Sequence, residues 1–129
     1  MKVIIVDDDP MICTLLRKLI QRKGHTVLTY ASPLDCPIYQ DNLCPCEPST
    51  CCADIIISDY NMPAVNGVEF LNKVYNRGCR CRNFALITGK GLDEPDLILT
   101  ARLGTKYFLK PIDYTQLYDW IDRVQQQTF

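Results

Sequence analysis

A-D-I-I-I-S-D-Y-N-M-P, from Ala53 to Pro63, is the stretch that decides the fold of this chain. Its three consecutive isoleucines, residues 55–57, are β-branched and lack polar alternation, which is typical of a short strand buried on both faces of a parallel sheet. Asp59 comes two residues after that run, and the Met62-Pro63 step disfavours a helix there. Since open α/β sheets bind ligands at the carboxyl ends of their strands, Asp59 is a candidate for chemistry.

Length and composition indicate one globular domain, residues 1–129. The chain is 47% hydrophobic and 22% charged, and a chain of this size buries roughly two thirds of its unfolded surface. The net charge of -1 and the scattered lysines and arginines argue against nucleic-acid binding. The amino-terminal apolar run is too short for a signal peptide or a membrane span. We therefore expect a cytoplasmic protein with neither nucleic acid nor membrane as a partner.

Hydrophobic periodicity predicts strands and helices in alternation. We expect strands over residues 3–6, 25–31, 55–57, 84–87 and 107–109, and helices over 10–23, 67–75, 92–103 and 114–126. Residues 33–52 follow neither period, which predicts a Cys-rich irregular segment that replaces or extends the second helix. This order predicts a doubly wound α/β fold: a five-stranded parallel sheet in three α/β/α layers, with right-handed crossovers.

Polar side chains follow four of the predicted strands: Asp7 and Asp8, then Asp59, Thr88 and Lys110. Because the carboxyl ends of parallel strands share one edge, we expect these side chains to lie together. Three carboxylates there repel one another unless a cation is present, and oxygen ligands favour Mg²⁺. With Mg²⁺ bound, Asp59 can act as a nucleophile on a phosphoryl group while Lys110 and Thr88 hold the transferred oxygens.

Four motifs in this chain resemble the response-regulator receiver domains of two-component signalling. They are V-D-D-D-P at 6–10, I-S-D-Y-N-M-P at 57–63, L-I-T-G at 86–89 and Y-F-L-K-P at 107–111. The resemblance implies a chemotaxis-type, flavodoxin-like fold with strand order 2-1-3-4-5. It also implies that Asp59 accepts phosphate from a histidine kinase or phosphotransfer protein. Asp8, Asp59 and the backbone carbonyl of Asn61 would bind Mg²⁺, with Asp7 assisting through water.

The same resemblance implies how the signal leaves the domain. Thr88 and Tyr107 would be the switch pair, moving inward together when the phosphoryl group arrives. The peptide between Lys110 and Pro111 would be cis and would aim the lysine into the site. A downstream protein partner would bind the face made by the fourth helix, the fifth strand and the fifth helix.

Seven of the eight cysteines precede the third and fourth strands: Cys36, Cys44, Cys46, Cys51, Cys52, Cys79 and Cys81. Those strands are neighbours in the order 2-1-3-4-5, so we expect the seven thiols to converge on the edge opposite Asp59. Such a density of thiolates suits Zn²⁺ or an iron-sulfur cluster, while redox chemistry and incidental cysteines are the alternatives. A strand of about 20 Å separates the two edges, so this site would be structural or allosteric.

The leading interpretation is a phosphorylation-controlled signalling switch with weak autophosphorylation and autophosphatase chemistry, and not an enzyme. One alternative is a Mg²⁺-dependent phosphohydrolase with an aspartate nucleophile, but Asn61 stands where such an enzyme would carry its second aspartate. Another is a Cys-based metal or redox sensor with a vestigial aspartate site. The single histidine, His25, is predicted to be a surface or half-buried residue without a role.

Overall fold

The structure, a computed structural model, describes residues 1–40 and 52–128 and is built on one parallel sheet. Its strands are β1 (Lys2–Val6), β2 (Thr26–Tyr30), β3 (Ile55–Asp59), β4 (Phe84–Thr88) and β5 (Lys106–Leu109). All four neighbouring pairs are parallel, and the order is β2-β1-β3-β4-β5. The predicted fold and strand order are therefore confirmed.

Five helices flank the sheet within the described residues: α1 (Pro10–Arg22), α2 (Pro37–Gln40), α3 (Gly67–Asn76), α4 (Glu94–Leu103) and α5 (Tyr114–Thr128). Helix α1 begins at the predicted residue because Asp9 caps it, accepting a hydrogen bond from the Met11 amide. Helix α4 ends at Leu103, and Gly104, with a left-handed backbone (φ 68°), caps it by donating its amide to the Thr100 and Ala101 carbonyls. Among these described helices, none has the length and hydrophobicity of a membrane span.

Two segments refine the sequence prediction. Helix α4 begins at Glu94 and not at residue 92, because the Asp93 side chain accepts from the Asp96 amide and so caps the helix; Leu92 packs against the core instead. Before β3, a 3₁₀ turn (Pro33–Asp35) precedes the four-residue α2, which agrees with a broken second helix. The rest of the predicted irregular segment, including Cys44, Cys46 and Cys51, lies outside the described residues.

Strand β3 is the centre of the core, and all five of its residues are buried. Ile56 faces one apolar layer, which holds Val68, Phe70, Leu71 and Val74 of α3. Ile55 and Ile57 face the other layer, built with Leu16 and Ile20 of α1 and Leu117 and Ile121 of α5. Each fully buried aliphatic side chain contributes about 1.5–3 kcal/mol. Burial on both faces explains why the isoleucine run lacks polar alternation.

The prediction for His25 was wrong, because this side chain is only 5% exposed. Its Nδ1 lies 3.1 Å from the amino group of Met1, and the Thr26 amide donates to the Met1 carbonyl. The start of the chain thus lies alongside the entrance to β2 and covers the imidazole. The other ring nitrogen, Nε2, has no hydrogen-bond partner among the described residues.

Candidate functional site

The carboxyl ends of β1, β3, β4 and β5 bring the predicted polar residues to one edge of the sheet. Asp7 directly follows β1, Asp59 ends β3, Thr88 ends β4, and Lys110 directly follows β5. The parallel register places these strand ends side by side. Ligand oxygens of Asp7, Asp8 and Asp59 all lie within 4.8 Å of one another.

Asp59 and Lys110 form a salt bridge at this edge, with Lys110 Nζ 3.0 Å from Asp59 Oδ1. The aspartate is 3% exposed, whereas about a third of the lysine side chain reaches solvent. Burial raises the pKa of Asp59, and the hydrogen bond from Lys110 opposes that effect. Burial alone would lower the pKa of Lys110, but the bond to Asp59 and the surrounding carboxylates raise it overall. The salt bridge thus favours the charged form of each group, while burial still raises the pKa of Asp59 overall.

The backbone around Lys110 explains how this lysine reaches the site. Its amide donates to the Thr88 carbonyl at 2.9 Å, which extends the pairing of β4 and β5 by one residue. The following peptide, to Pro111, is cis, as the resemblance implies. Because of the bond to the Thr88 carbonyl, the lysine lies beside the end of β4, at the same sheet edge as Asp59.

Asp7 is the most deeply buried carboxylate of the cluster, at 1% exposure. Its Oδ1 accepts from the Asp9 amide at 2.8 Å, while Oδ2 has no hydrogen-bond partner in the described part of the chain. Burial, together with the negative charges of Asp59 and Asp8, raises the pKa of Asp7 to about 6. An orphaned buried carboxylate oxygen beside two further carboxylates is a donor set that fits a divalent cation.

The proposed switch residues are not hydrogen-bonded to each other in this structure. Thr88 is 4% exposed, and its hydroxyl donates to the Lys90 carbonyl at 2.7 Å. Tyr107 is 36% exposed, and its hydroxyl is hydrogen-bonded to Thr100 Oγ1 on α4. Both side chains line the same cavity of about 170 Å³, with Leu97 of α4 among its other walls.

Three further residues lie at or near the chain segment that follows Asp59. Asn61, two residues after Asp59, is exposed. The Tyr60 hydroxyl donates to Asp96 on α4 at 2.5 Å, and a Cβ on Gly67 would lie 2.3 Å from the Asp59 carbonyl oxygen. Sequence reasoning missed the last two contacts. The partners of the tyrosine bond are 36 residues apart, and no local pattern connects them.

Four of the seven clustered cysteines lie within the described residues, in segments that lead into β3 and β4 or precede α2. Cys36, Cys79 and Cys81 are buried, Cys52 is half-buried, and the Sγ atoms of Cys52 and Cys79 are 3.4 Å apart. Among the residues that the structure describes, the acidic cluster is the one group of three or more ligating side chains close enough to share an ion. Convergence of all seven thiols stays a prediction.

The sequence of this chain is similar to a family model and to a known protein. Residues 3–122 match the family model of the response regulator receiver domain. Over 116 residues the chain is 25% identical to "Uncharacterized transcriptional regulatory protein YbdJ" of Bacillus subtilis (strain 168), covering 90% of this chain and 47% of that protein. The chain therefore spans about half the length of this curated relative.

Solved structures show the same fold. A response regulator receiver domain protein from Clostridium thermocellum superposes with a TM-score of 0.78 at 24% identity, covering 98% of this chain and 95% of that one. Vibrio cholerae chemotaxis protein CheY4 gives a TM-score of 0.72 at 23% identity, with coverage of 95% and 97%.

Proposed function

This chain belongs to the response regulator receiver domain family of two-component signalling, and on that basis we propose that Asp59 accepts a phosphoryl group in a Mg²⁺-dependent phosphorelay. In this proposal the chain acts in the cytoplasm, and the donor is a histidine kinase or a phosphotransfer protein. Receiver domains are signalling switches, and residues 1–129 would form one such domain. The observation that carries the proposal is the salt bridge of Lys110 to a buried Asp59 beside two further carboxylates.

The metal would be held by Asp7, Asp8, Asp59 and the backbone carbonyl of Asn61. The partnerless Oδ2 of Asp7 supports this assignment, because a buried carboxylate oxygen otherwise loses its solvation without compensation. When bound, Mg²⁺ supplies positive charge that offsets the repulsion of the carboxylates and attracts the phosphoryl oxygens. Asp8 is exposed and reaches the cluster from the solvent side, which leaves a route for ligands.

In the transfer step, a carboxylate oxygen of Asp59 attacks phosphorus, and the bond from phosphorus to the donor imidazole breaks. The imidazole leaves with the electron pair of that bond, and the phosphoryl group is then held as an acyl phosphate. Lys110, 3.0 Å from Asp59, exchanges its carboxylate partner for a phosphoryl oxygen with little movement. Thr88 must give up its hydrogen bond to the Lys90 carbonyl before its hydroxyl can donate to the phosphoryl group.

The exchange of hydrogen-bond partners at Thr88 supports a route by which phosphorylation would change the surface of the domain. Tyr107 lines the same cavity as Thr88 and would move inward when the threonine reorients, leaving Thr100 on α4. The face of α4, β5 and α5 exposes Leu97, Ile98 and Leu109 at 46%, 54% and 65%. This apolar surface would receive the downstream protein partner, and its shape would depend on the position of Tyr107.

The test is labelling by acetyl phosphate, a small phosphoryl donor. Intact-protein mass spectrometry should show one added phosphoryl group on the wild type with Mg²⁺ and none with a chelator. Asp59→Ala should remain unlabelled, whereas Asp9→Ser is the matched control. Asp9 is the neighbouring acid that caps α1, and serine preserves the cap. Rapid release of phosphate without a stable adduct would favour the phosphohydrolase, and absence of both would contradict the proposal.

A further inference from the structure

The edge of the sheet opposite Asp59 carries two cysteines, Cys52 and Cys79, whose side chains are in contact. We propose that Cys52 and Cys79 are a redox-active dithiol, which a peroxide converts to an intramolecular disulfide. This inference is independent of the proposed phosphoryl chemistry. It concerns two described thiols whose Sγ atoms lie 3.4 Å apart.

The distance and the backbone around the pair favour bond formation. A disulfide joins sulfurs that are about 2.0 Å apart, so closure requires the two Sγ atoms to approach by only about 1.4 Å. Cys79 is held in place by the turn that ends α3, where Gly78 has a φ of 82° and the Cys79 amide lies 3.4 Å from the Val74 carbonyl. Cys52 lies just before the buried Ala53 at the approach to β3. The two thiols thus lie on segments next to α3 and β3, and their Sγ atoms start close together.

Burial assigns different roles to the two thiols. Cys79 is fully buried in the apolar layer that contains α3, whereas Cys52 is half-buried and packs against that layer. An oxidant dissolved in water therefore meets Cys52 first. The Arg82 guanidinium donates to the backbone carbonyls of Cys79 and Cys81, so a positive charge lies beside this loop. These two hydrogen bonds help to hold the loop that carries Cys79 in place.

The oxidation balances with hydrogen peroxide as the oxidant. The Cys52 thiol first releases its proton; the thiolate then attacks one peroxide oxygen, the O–O bond breaks, and Cys52 becomes a sulfenic acid while the departing hydroxide takes up that proton and leaves as water. The Cys79 sulfur then attacks the Cys52 sulfur, and the S–O bond breaks. The departing hydroxide takes the Cys79 proton and leaves as a second water. Two thiols thus lose two electrons and two protons, and one peroxide is reduced to two waters.

The disulfide would connect the segment that precedes β3 with the loop that precedes β4. These strands end on Asp59 and Thr88 respectively, and the cross-link would close the chain over a separation of 27 residues. Closing a loop of this length raises Tm by roughly 10 °C, mainly because it restricts the unfolded chain. The oxidised and reduced proteins therefore differ in the stability of the strand-helix-strand unit that carries the proposed acceptor.

Peptide mapping of the full chain tests the proposal. Anaerobically purified, reduced protein is treated with hydrogen peroxide, remaining thiols are alkylated, and the unreduced protein is digested with trypsin and Glu-C. Trypsin cleaves after Arg80, so Cys79 and Cys81 fall in separate peptides. The expected product links the peptide of residues 78–80 to the peptide that contains Cys52, and fragmentation distinguishes Cys52 from the other cysteines of that peptide. Formation of this link should raise Tm by roughly 10 °C.

Matched variants decide which thiols are required. Cys52→Ser should abolish both the cross-linked peptide and the rise in Tm. Cys81→Ser is the matched control, because Cys81 is a similarly buried thiol in the same loop as Cys79. This variant should retain both the cross-linked peptide and the rise in Tm. If Cys79→Ser does not fold, Cys52→Ser and the map of the wild-type protein still decide the question.

Two results would overturn the proposal. One is a map in which peroxide leaves Cys52 and Cys79 unlinked, or links Cys79 to another cysteine. The other is stoichiometric zinc or iron in the anaerobic protein that is lost in Cys52→Ser, because the pair would then be metal ligands. Loss of acetyl phosphate labelling has no bearing on either result. Failure of the phosphoryl-acceptor proposal can therefore be distinguished from failure of the disulfide proposal.

Discussion

The Tyr60 hydroxyl donates a hydrogen bond of 2.5 Å to the Asp96 carboxylate. This bond connects the residue that follows the proposed phosphoacceptor to the first turn of α4. The bond to Asp96 and burial raise the pKa of Tyr60 to about 12. One turn further along α4, Thr100 is hydrogen-bonded to the Tyr107 hydroxyl. Helix α4 is thus hydrogen-bonded both to Tyr60, which follows the proposed phosphoacceptor, and to Tyr107, the proposed switch tyrosine.

Removal of the Tyr60 hydroxyl should loosen α4. We expect Tyr60→Phe to lower the free energy of unfolding by about 1–2 kcal/mol, because a hydrogen bond to a charged partner is lost. Amide hydrogen exchange should become faster in the first turn of α4. Chemical denaturation and exchange mass spectrometry measure the two effects. Tyr75→Phe is the control, because Tyr75 is exposed on α3 and its ring contact with Arg82 survives the change. Equal effects of the two substitutions would contradict this connection.

Lys110 should be needed for labelling more than for folding. Under the proposed function, Lys110→Met removes the ammonium group that would hold a phosphoryl oxygen, and we expect the rate of labelling by acetyl phosphate to fall about 100-fold. Lys106→Met is the matched control at the other end of β5, where the lysine is exposed. Time courses of intact mass give the rates, and melting curves confirm folding. A Lys110→Met rate equal to that of Lys106→Met would show that the salt bridge to Asp59 is incidental.

The acidic edge was predictable from sequence for a simple topological reason. A parallel sheet brings the carboxyl ends of its strands together, so Asp7, Asp59, Thr88 and Lys110 converge once the strands are recognised. The burial of His25 was not predictable in the same way, because it depends on the start of the chain lying alongside β2. For the cysteines, the strand order predicts that the segments before β3 and β4 are neighbours, but which two thiols meet is seen only in the three-dimensional structure.

Gly67 is a position where this tertiary arrangement tolerates no side chain. It is the first residue of α3, and its amide donates to the Tyr60 carbonyl at 2.9 Å. A Cβ would lie 2.3 Å from the Asp59 carbonyl oxygen and 2.6 Å from Leu86 Cδ1. Because the Asp59 carbonyl oxygen is a backbone atom, either β3 or α3 must shift to make room for a Cβ.

We therefore expect Gly67→Ala to lower the free energy of unfolding by about 2–3 kcal/mol, at the upper end of the usual cost of overpacking. Labelling at Asp59 should also slow, since the clash is with the carbonyl of that residue. Gly89→Ala is the matched control, because a Cβ there meets nothing within 4 Å. Urea denaturation compares the three proteins. A Gly67→Ala protein as stable as Gly89→Ala would contradict the close packing of α3 on β3.

His25 should make the protein less stable in mild acid. Burial and the nearby Met1 amino group lower the pKa of His25 below its usual 6.5. Below about pH 6.5 the unfolded chain therefore binds a proton that the folded protein binds less readily, and stability falls as the pH falls. The slope from one such group is at most about 1.4 kcal/mol per pH unit.

The matched variant is His25→Gln, which stays neutral and keeps a side-chain acceptor for the Met1 amino group. Between about pH 7.5 and pH 5.5, the wild type should lose more stability than this variant in urea denaturation. The raised pKa values of Asp7 and Asp59 act in the opposite direction, because the folded protein then takes up protons more readily. Both carboxylates are present in both proteins, so the difference between the two pH curves isolates the imidazole. Parallel curves would mean that the folded protein accommodates a protonated His25 at no cost.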